Sequence, residues 1–412
     1  MNNRRTFLKQ LSVAGATGVV AIGARPQALF ARAANNAAAD VDGRILVLVQ
    51  LAGGNDGLNT VVPFGNDIYR KLRPSLAIEK GEALRLNDSL GLHPAMTGFK
   101  ELFDEGALGV VQGVGYPNPN RSHFRSMDIW HTAKPGVADK RDGWLGRAFD
   151  AAAKELAGKV PGVALGTDRL PLSLVSTKFT VPTVRNLKDY QLQLAGSKAE
   201  KAAQRKRMVK LAGNGTGGNS NLDFLRRTAS TALDTSARIS EVLSDYQPAK
   251  PYPDSGLARR LKSVAQLITA DLGARVYFVS LDGFDTHAEQ AGAHENLMAE
   301  LSGALAAFCA DLRGHGLGER VLTATFSEFG RRVKENGSLG TDHGAAGPMF
   351  LVGQGAKGGV HGKHPSLNDL DQGDLKHHTD FRSVYTTLLE DWLGWEAQAA
   401  VGGKFTKLKL LG

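Results

Sequence analysis

The chain has 412 residues, a formal net charge of +9 and a single cysteine, Cys309. Five of the cations (Arg4, Arg5, Lys9, Arg25 and Arg32) fall within the first 33 residues, where there is no anion, so the rest of the chain is only mildly basic. That balance, with no basic block interleaved with aromatics, argues against nucleic acid as a partner, and one cysteine excludes an intramolecular disulfide.

The N-terminus carries a targeting pattern. Arg4-Arg5-Thr6-Phe7-Leu8-Lys9 precedes a modest apolar run, Leu11 to Gly23, and Ala31-Arg32-Ala33 offers a small-x-small cleavage site. A charged start, a short apolar stretch and a cut site in this order form a signal peptide, and the paired arginine is that of the twin-arginine (Tat) route. The run is well short of the roughly 20 apolar residues that span a bilayer. Residues 1–33 are therefore expected to be removed, leaving residues 34–412 as an exported protein. Its expected location is periplasmic or extracellular, with the Tat translocase as a partner in export and no membrane span after cleavage. The Tat route carries folded proteins, so a metal can be acquired in the cytoplasm.

From residue 44 the pattern is that of alternating strands and helices. Arg44 to Leu51 is an almost continuous apolar run, as in a strand buried on both faces, and stops at Ala52-Gly53-Gly54-Asn55-Asp56-Gly57. Met96, Phe99, Leu102 and Phe103 give a helix over 94–104, with Pro94 in its first turn. Residues 107–114 form a second strand, ending in Gly115-Tyr116-Pro117-Asn118-Pro119-Asn120-Arg121-Ser122-His123-Phe124. Residues 160–180 hold one or two strands. Residues 186–270 read as a mainly helical insertion, broken by a flexible loop at 213–220 and carrying a basic run, Lys198 to Lys210, of the kind that forms a solvated face. Arg275 to Leu281 is a strand ending in Asp282-Gly283-Phe284-Asp285-Thr286-His287. Leu297, Leu301, Leu305, Phe308 and Leu312 mark a helix over 294–313. Residues 320–326 form the next strand, followed by Ser327-Glu328-Phe329-Gly330-Arg331, and 348–352 the last. Strand, crossover helix and strand of this length imply parallel strands with a right-handed connection. The expected fold is α/β, a three-layer α/β/α sandwich around a mostly parallel sheet.

Ligands of such sheets bind at the carboxyl edge of the strands. Asp56, Arg121, Ser122, Asp282, Asp285, His287 and Glu328 all leave strands at that edge, and Gly340-Thr341-Asp342-His343-Gly344 immediately precedes the last strand. Carboxylates and imidazoles together are the ligand set of Zn, Mn or Fe, and carboxylates with water also suit Mg or Ca. Each piece also has an ordinary structural reading. Asp56 can close a turn, Asp285 can cap a helix, and Glu328 can pair with Arg331 or Arg332. Ser122 can cap the helix that follows it. His361, just past the last strand, is a plausible additional ligand. His93 and His131 have no clear strand-end place, and His364, His377 and His378 read as structural or surface residues.

These strings carry a resemblance. Leu51–Gly57, Tyr116–Phe124, Phe326–Arg331 and Gly340–Pro348 are similar to those of an exported bacterial family, the domain of unknown function fifteen-hundred-and-one, a distant branch of the alkaline phosphatase and sulfatase superfamily. The resemblance covers nearly all of the chain after the leader. It implies an alkaline-phosphatase-like fold and divalent metal ions. It also implies a phosphate- or sulfate-ester hydrolase acting on a small-molecule or glycan ester. On this reading Asp56, Asp285, His287, Asp342 and His343 are metal ligands, with Glu328 as an alternative late ligand. Ser122 is the nucleophile, and Arg121 stabilises the developing negative charge. The chain departs from the superfamily pattern where Glu328-Phe329 stands in place of an Asp-His pair, which comes about a dozen residues later as Asp342-His343. A Cys/Ser-x-Pro-x-Arg string is missing around Ser122, which places a sulfatase below a phosphatase or phosphodiesterase. The rival expectation is a non-catalytic envelope or glycan-binding protein on the same fold.

Overall fold

The computed structural model describes residues 43–136, 141–187, 197–213, 233 and 246–412. The segment read as a signal peptide, residues 1–33, lies outside them, as does the glycine-rich loop read at 213–220 beyond Gly213. The first strand, β1 (Ile45–Ala52), sits in the middle of a nine-stranded sheet. Its side chains alternate between two cores, as the strand pleat demands. Leu46 and Leu48 join one, while Ile45, Val47, Val49 and Leu51 join the other. That explains the continuous apolar run.

The remaining strands are β2 (Leu108–Gly115), β3 (Gly162–Leu165), β4 (Thr183–Val184), β5 (Val276–Asp282), β6 (Val321–Phe326), β7 (Gly347–Val352), β8 (Gly359–His361) and β9 (Thr379–Asp380). They lie in the order β8-β2-β7-β6-β1-β5-β3-β4, with β9 also paired to β2. β1 is parallel to both β5 and β6, and β7 runs antiparallel to both of its neighbours, β2 and β6. The sheet is thus mostly parallel, as expected, with one reversed strand near its centre.

Helices cover both faces. On one lie α1 (Thr97–Asp104), α5 (Gly256–Thr269) and α6 (Gln290–Gly314), whose Phe99, Leu261, Leu301, Leu305 and Phe308 are buried in one core. On the other lie α2 (His123–Thr132), α3 (Trp144–Ala151) and α7 (Phe381–Thr387), which bring Trp130, Trp144, Phe149 and Tyr385 to the second core. The three layers of the sequence reading are present.

Two helix starts differ from that reading. α1 starts at Thr97, and Pro94 lies in a preceding turn closed by His93, whose Nδ1 accepts from the Ala95 N–H and whose carbonyl accepts from the Met96 N–H. α6 starts four residues early, at Gln290, which takes Gln290 and His294 into the interior. Within the stretch read as a helical insertion, α4 (Lys198–Gly213) is well exposed along its described side chains, as a solvated basic helix requires, whereas α5 packs into the core.

Candidate metal centre

The carboxyl ends of β1, β2, β5 and β6 meet on one edge. Because β7 is reversed, its entry lies on that same edge, and this is what brings Asp342 and His343 beside residues that leave parallel strands. Close backbone packing holds the loops together. Gly53 has φ +122°, and a Cβ there would stand 2.3 Å from the Asp285 nitrogen; a Cβ on Gly340 would stand 2.3 Å from the carbonyl carbon and oxygen of His287. Only glycine permits either approach.

Four side chains converge. Asp285 Oδ1 lies 3.0 Å from His287 Nε2 and 3.1 Å from His343 Nε2, and those two nitrogens are 2.9 Å apart. His123 Nε2 is 3.4 Å from Asp285 Oδ2. His123, Asp285 and His343 form a set whose ligand atoms all lie within 4.8 Å of one another.

The outer hydrogen bonds fix which nitrogen faces inward. His343 Nδ1 lies 2.8 Å from the Arg121 carbonyl, which can only accept, so Nδ1 carries the proton. His123 Nδ1 lies 2.9 Å from Glu328 Oε1, a carboxylate that also takes the Gly53 N–H. His287 Nδ1 faces Asp342 Oδ1 at 3.4 Å, and Asn336 Nδ2 donates to that same oxygen. As neutral rings, all three therefore present Nε2 lone pairs to the Asp285 carboxylate, and His123 Nε2 is buried without a hydrogen-bond partner. Lone pairs facing a carboxylate repel unless a cation lies between them. Bonds of about 2.1 Å at right angles put adjacent ligands about 3.0 Å apart, which is the spacing of Asp285, His287 and His343. Histidines backed by a carboxylate or carbonyl are the usual surroundings of a bound metal. The donor set fits a divalent ion, and the partial exposure of the four side chains leaves room for a further ligand.

The electrostatics agree. Burial would raise the Asp285 pKa, but the hydrogen bond and charge of the buried Arg331 guanidinium lead the effects that outweigh it and hold the carboxyl down to about 2. Burial lowers the His343 pKa, which favours the neutral, ligating ring.

The other residues singled out in the sequence are placed as follows. Glu328 and Asp342 stand behind His123 and His287 as their hydrogen-bond partners. Asp56 is buried and caps the short helix Gly57–Thr60; its carboxylate is held by Arg73 and Gln290, and no described hydrogen bond or ion pair joins it to the histidines. Burial would raise its pKa, but the Arg73 charge and hydrogen bond, with His294 and Gln290, hold it below the usual range. Arg121 is paired with Asp374 through Nε and Nη2, 2.7 and 2.5 Å from Oδ2. Ser122 is exposed at the N-cap of α2, and its side chain makes no cap hydrogen bond. Asp282 ends β5 as an exposed residue. Glu328 pairs with His123 and not with Arg331 or Arg332; Arg331 pairs with Asp285 instead. His361 lies on β8 against the Lys357 carbonyl. His131 is a core histidine between the Ser173 N–H and Gln50, with its pKa lowered by burial to about 4. The sequence reading passed over His123 as a ligand, although it closes the Asn-Arg-Ser-His segment, and it passed over Arg73 entirely.

No curated protein sequence matches the chain. Among solved structures it is similar to the lipoteichoic acid synthase LtaP from Listeria monocytogenes, with 9% identity and a TM-score of 0.35 over 78% of this chain and 66% of that one. It is similar to the PsFucS1 sulfatase from Pseudoalteromonas sp., with 11% identity and a TM-score of 0.40 over 94% and 75%. It is also similar to the alkaline phosphatase of the Antarctic bacterium TAB5, with 12% identity and a TM-score of 0.33 over 75% and 91%. The family described as Protein of unknown function (DUF1501) matches residues 44–391, a span that takes in every residue of the cluster, and the chain belongs to that family.

Proposed function

We propose that the protein is an exported, metal-dependent hydrolase of phosphate or sulfate esters, acting in the periplasm or cell envelope. The observation that carries this reading is the convergence of three inward-facing imidazole nitrogens on Asp285, at a strand edge partly open to solvent. Asp285, His287, His343 and His123 would hold the ion, with Glu328, Asp342 and the Arg121 carbonyl fixing the rings. A divalent ion there would act as a Lewis acid on an ester oxygen. Ser122, next in chain to His123, offers a hydroxyl not spent on a cap bond and would attack phosphorus or sulfur, with release of the alcohol and later hydrolysis of the enzyme ester by water. Export rests on the twin arginine and the cleavage site of the leader; among the described residues no helix is long and apolar enough to cross a membrane.

The test is metal analysis of protein purified from the periplasm, followed by assays with aryl phosphate, phosphodiester and aryl sulfate substrates. Stoichiometric divalent metal and metal-dependent turnover of one class are expected. A folded protein with bound metal but without turnover on any of the three would favour the non-catalytic binding protein. The commitment of the Arg121 guanidinium to Asp374 is the observation that favours that alternative, since it engages the group that would bind the substrate anion.

A further inference from the structure

We propose that this centre takes one divalent cation per chain, because two buried guanidinium groups, Arg331 and Arg73, already supply the positive charge that its other carboxylates need. The inference rests on the metal reading above and adds to it the number of ions and the part played by Asp56.

Arg331 is fully buried, and its Nη2 donates to Asp285 Oδ1 at 2.7 Å. Its other bonds run to backbone carbonyls of the loops that form the site: Gly54 and Thr341 at 2.8 Å, Phe284 at 2.9 Å, and Gly53. The guanidinium is therefore fixed beside the central carboxylate, in space that a second ion sharing Asp285 would need. Asp56 is held in the same way. Its Oδ2 accepts from Arg73 Nη1 and Gln290 Nε2, both at 2.5 Å, and its Oδ1 accepts from the Leu58 N–H at 3.2 Å. Arg73 in turn donates to Asn59 and to the carbonyls of Val333 and Arg332. This carboxylate is 1% exposed and paired with a guanidinium that is itself wholly buried, and three donors fill three of its roughly four lone-pair sites, both of those on Oδ2 among them.

Charge points the same way. Asp285, Glu328 and Asp342 bear three negative charges around the histidines, and Arg331 returns one positive. One divalent ion neutralises the remainder, whereas a second would leave an excess positive charge at a partly buried site, which is costly. Asp56 is then a positioning residue. Gln290, tied to Asp56, accepts from Thr286 and Thr341 through its Oε1, and these threonines immediately precede His287 and Asp342.

The experiment is metal stoichiometry by elemental mass spectrometry. Protein would be incubated with zinc, manganese, magnesium or calcium in turn, then freed of loose ions by gel filtration. One ion per chain is expected, together with its retention in Asp56→Asn and its loss in Asp285→Asn. Two ions per chain overturn the inference while leaving the metal reading intact. Loss of the ion from an Asp56→Asn protein that keeps the wild-type circular dichroism, and that excess metal does not restore, also overturns it. No ion with any of the four metals sinks the metal reading itself, and this inference with it. Should Asp56→Asn not fold, the wild-type stoichiometry alone decides.

Discussion

Ser122 and His123 are neighbours in the chain with opposite surroundings: the hydroxyl is exposed and makes no cap bond, while the imidazole is anchored through Nδ1 to a buried carboxylate. This sets apart two consequences of Ser122→Ala. A capping serine costs about 1 kcal/mol when removed, but Ser122 makes no such bond, so the change in stability should stay within about 0.5 kcal/mol, as for other surface positions. If the serine is the nucleophile, turnover falls to background while metal content is unchanged. Denaturant melts beside single-turnover assays read both quantities, and retained turnover would assign the attack to another group. Sequence spacing placed Ser122 and the ligand-type residues at one edge, but it could not say which imidazole nitrogen faces in. That choice depends on hydrogen-bond partners such as Glu328 and the Arg121 carbonyl, more than 200 positions from the rings they hold. Arg73 was illegible for the same reason: nothing near it in the chain marks it as the partner of Asp56.

At the scale of elements, the strands were readable because burial on both faces of a sheet leaves a continuous apolar run, as in β1, β5 and β6. The direction of β7 was not readable, since a short apolar run looks the same in either orientation. Yet that reversal explains how Asp342-His343, which enters a strand, meets Asp285-Thr286-His287, which leaves one. The loops that meet there have no slack at Gly340, where an added Cβ would collide with the His287 backbone. Gly340→Ala should therefore push the His287 and His343 loops apart. A cost of about 1–3 kcal/mol is expected for an overpacked contact of this kind, with a drop in metal retention and little change in the circular dichroism spectrum. Wild-type metal content and melting temperature in this variant would show that the two loops are not coupled. The Asp56–Arg73 pair braces the same loops from below, and its pH dependence has a defined sign. The Asp56 pKa is depressed in the folded state, so its contribution to stability is complete above the ordinary carboxyl value of about 4 and is lost as the pH falls through the depressed one. With chelator present to remove metal release from the signal, the melting temperature should fall steeply below about pH 4, and less steeply in Asp56→Asn. Parallel curves for the two proteins would mean that the pair does not govern acid sensitivity.

The whole molecule is a sheet with a core on each face, held without a disulfide: its one cysteine, Cys309, is buried in α6, and burial pushes the thiol up to about 12. Nothing in its stability thus depends on the oxidising conditions outside the cytoplasm. Such a chain can complete its fold, and fill a site built from loops some 220 residues apart, before the export proposed above. That would suit the proposed route, which carries folded proteins, and would give the paired arginine at positions 4 and 5 a physical rationale beyond its match to a pattern. A protein threaded unfolded would meet its metal only outside, where the Irving–Williams order favours whichever competing ion binds imidazole most strongly. Replacing Arg4 and Arg5 by lysine keeps the charge but removes the paired guanidinium groups that the route reads. The precursor should then stay in the cytoplasm, folded and loaded with metal, and immunoblots of separated periplasm and cytoplasm would show it uncleaved. Cleavage near Ala33 and normal release of that double variant would assign export to a different path, and with it the site of metal loading to the far side of the membrane.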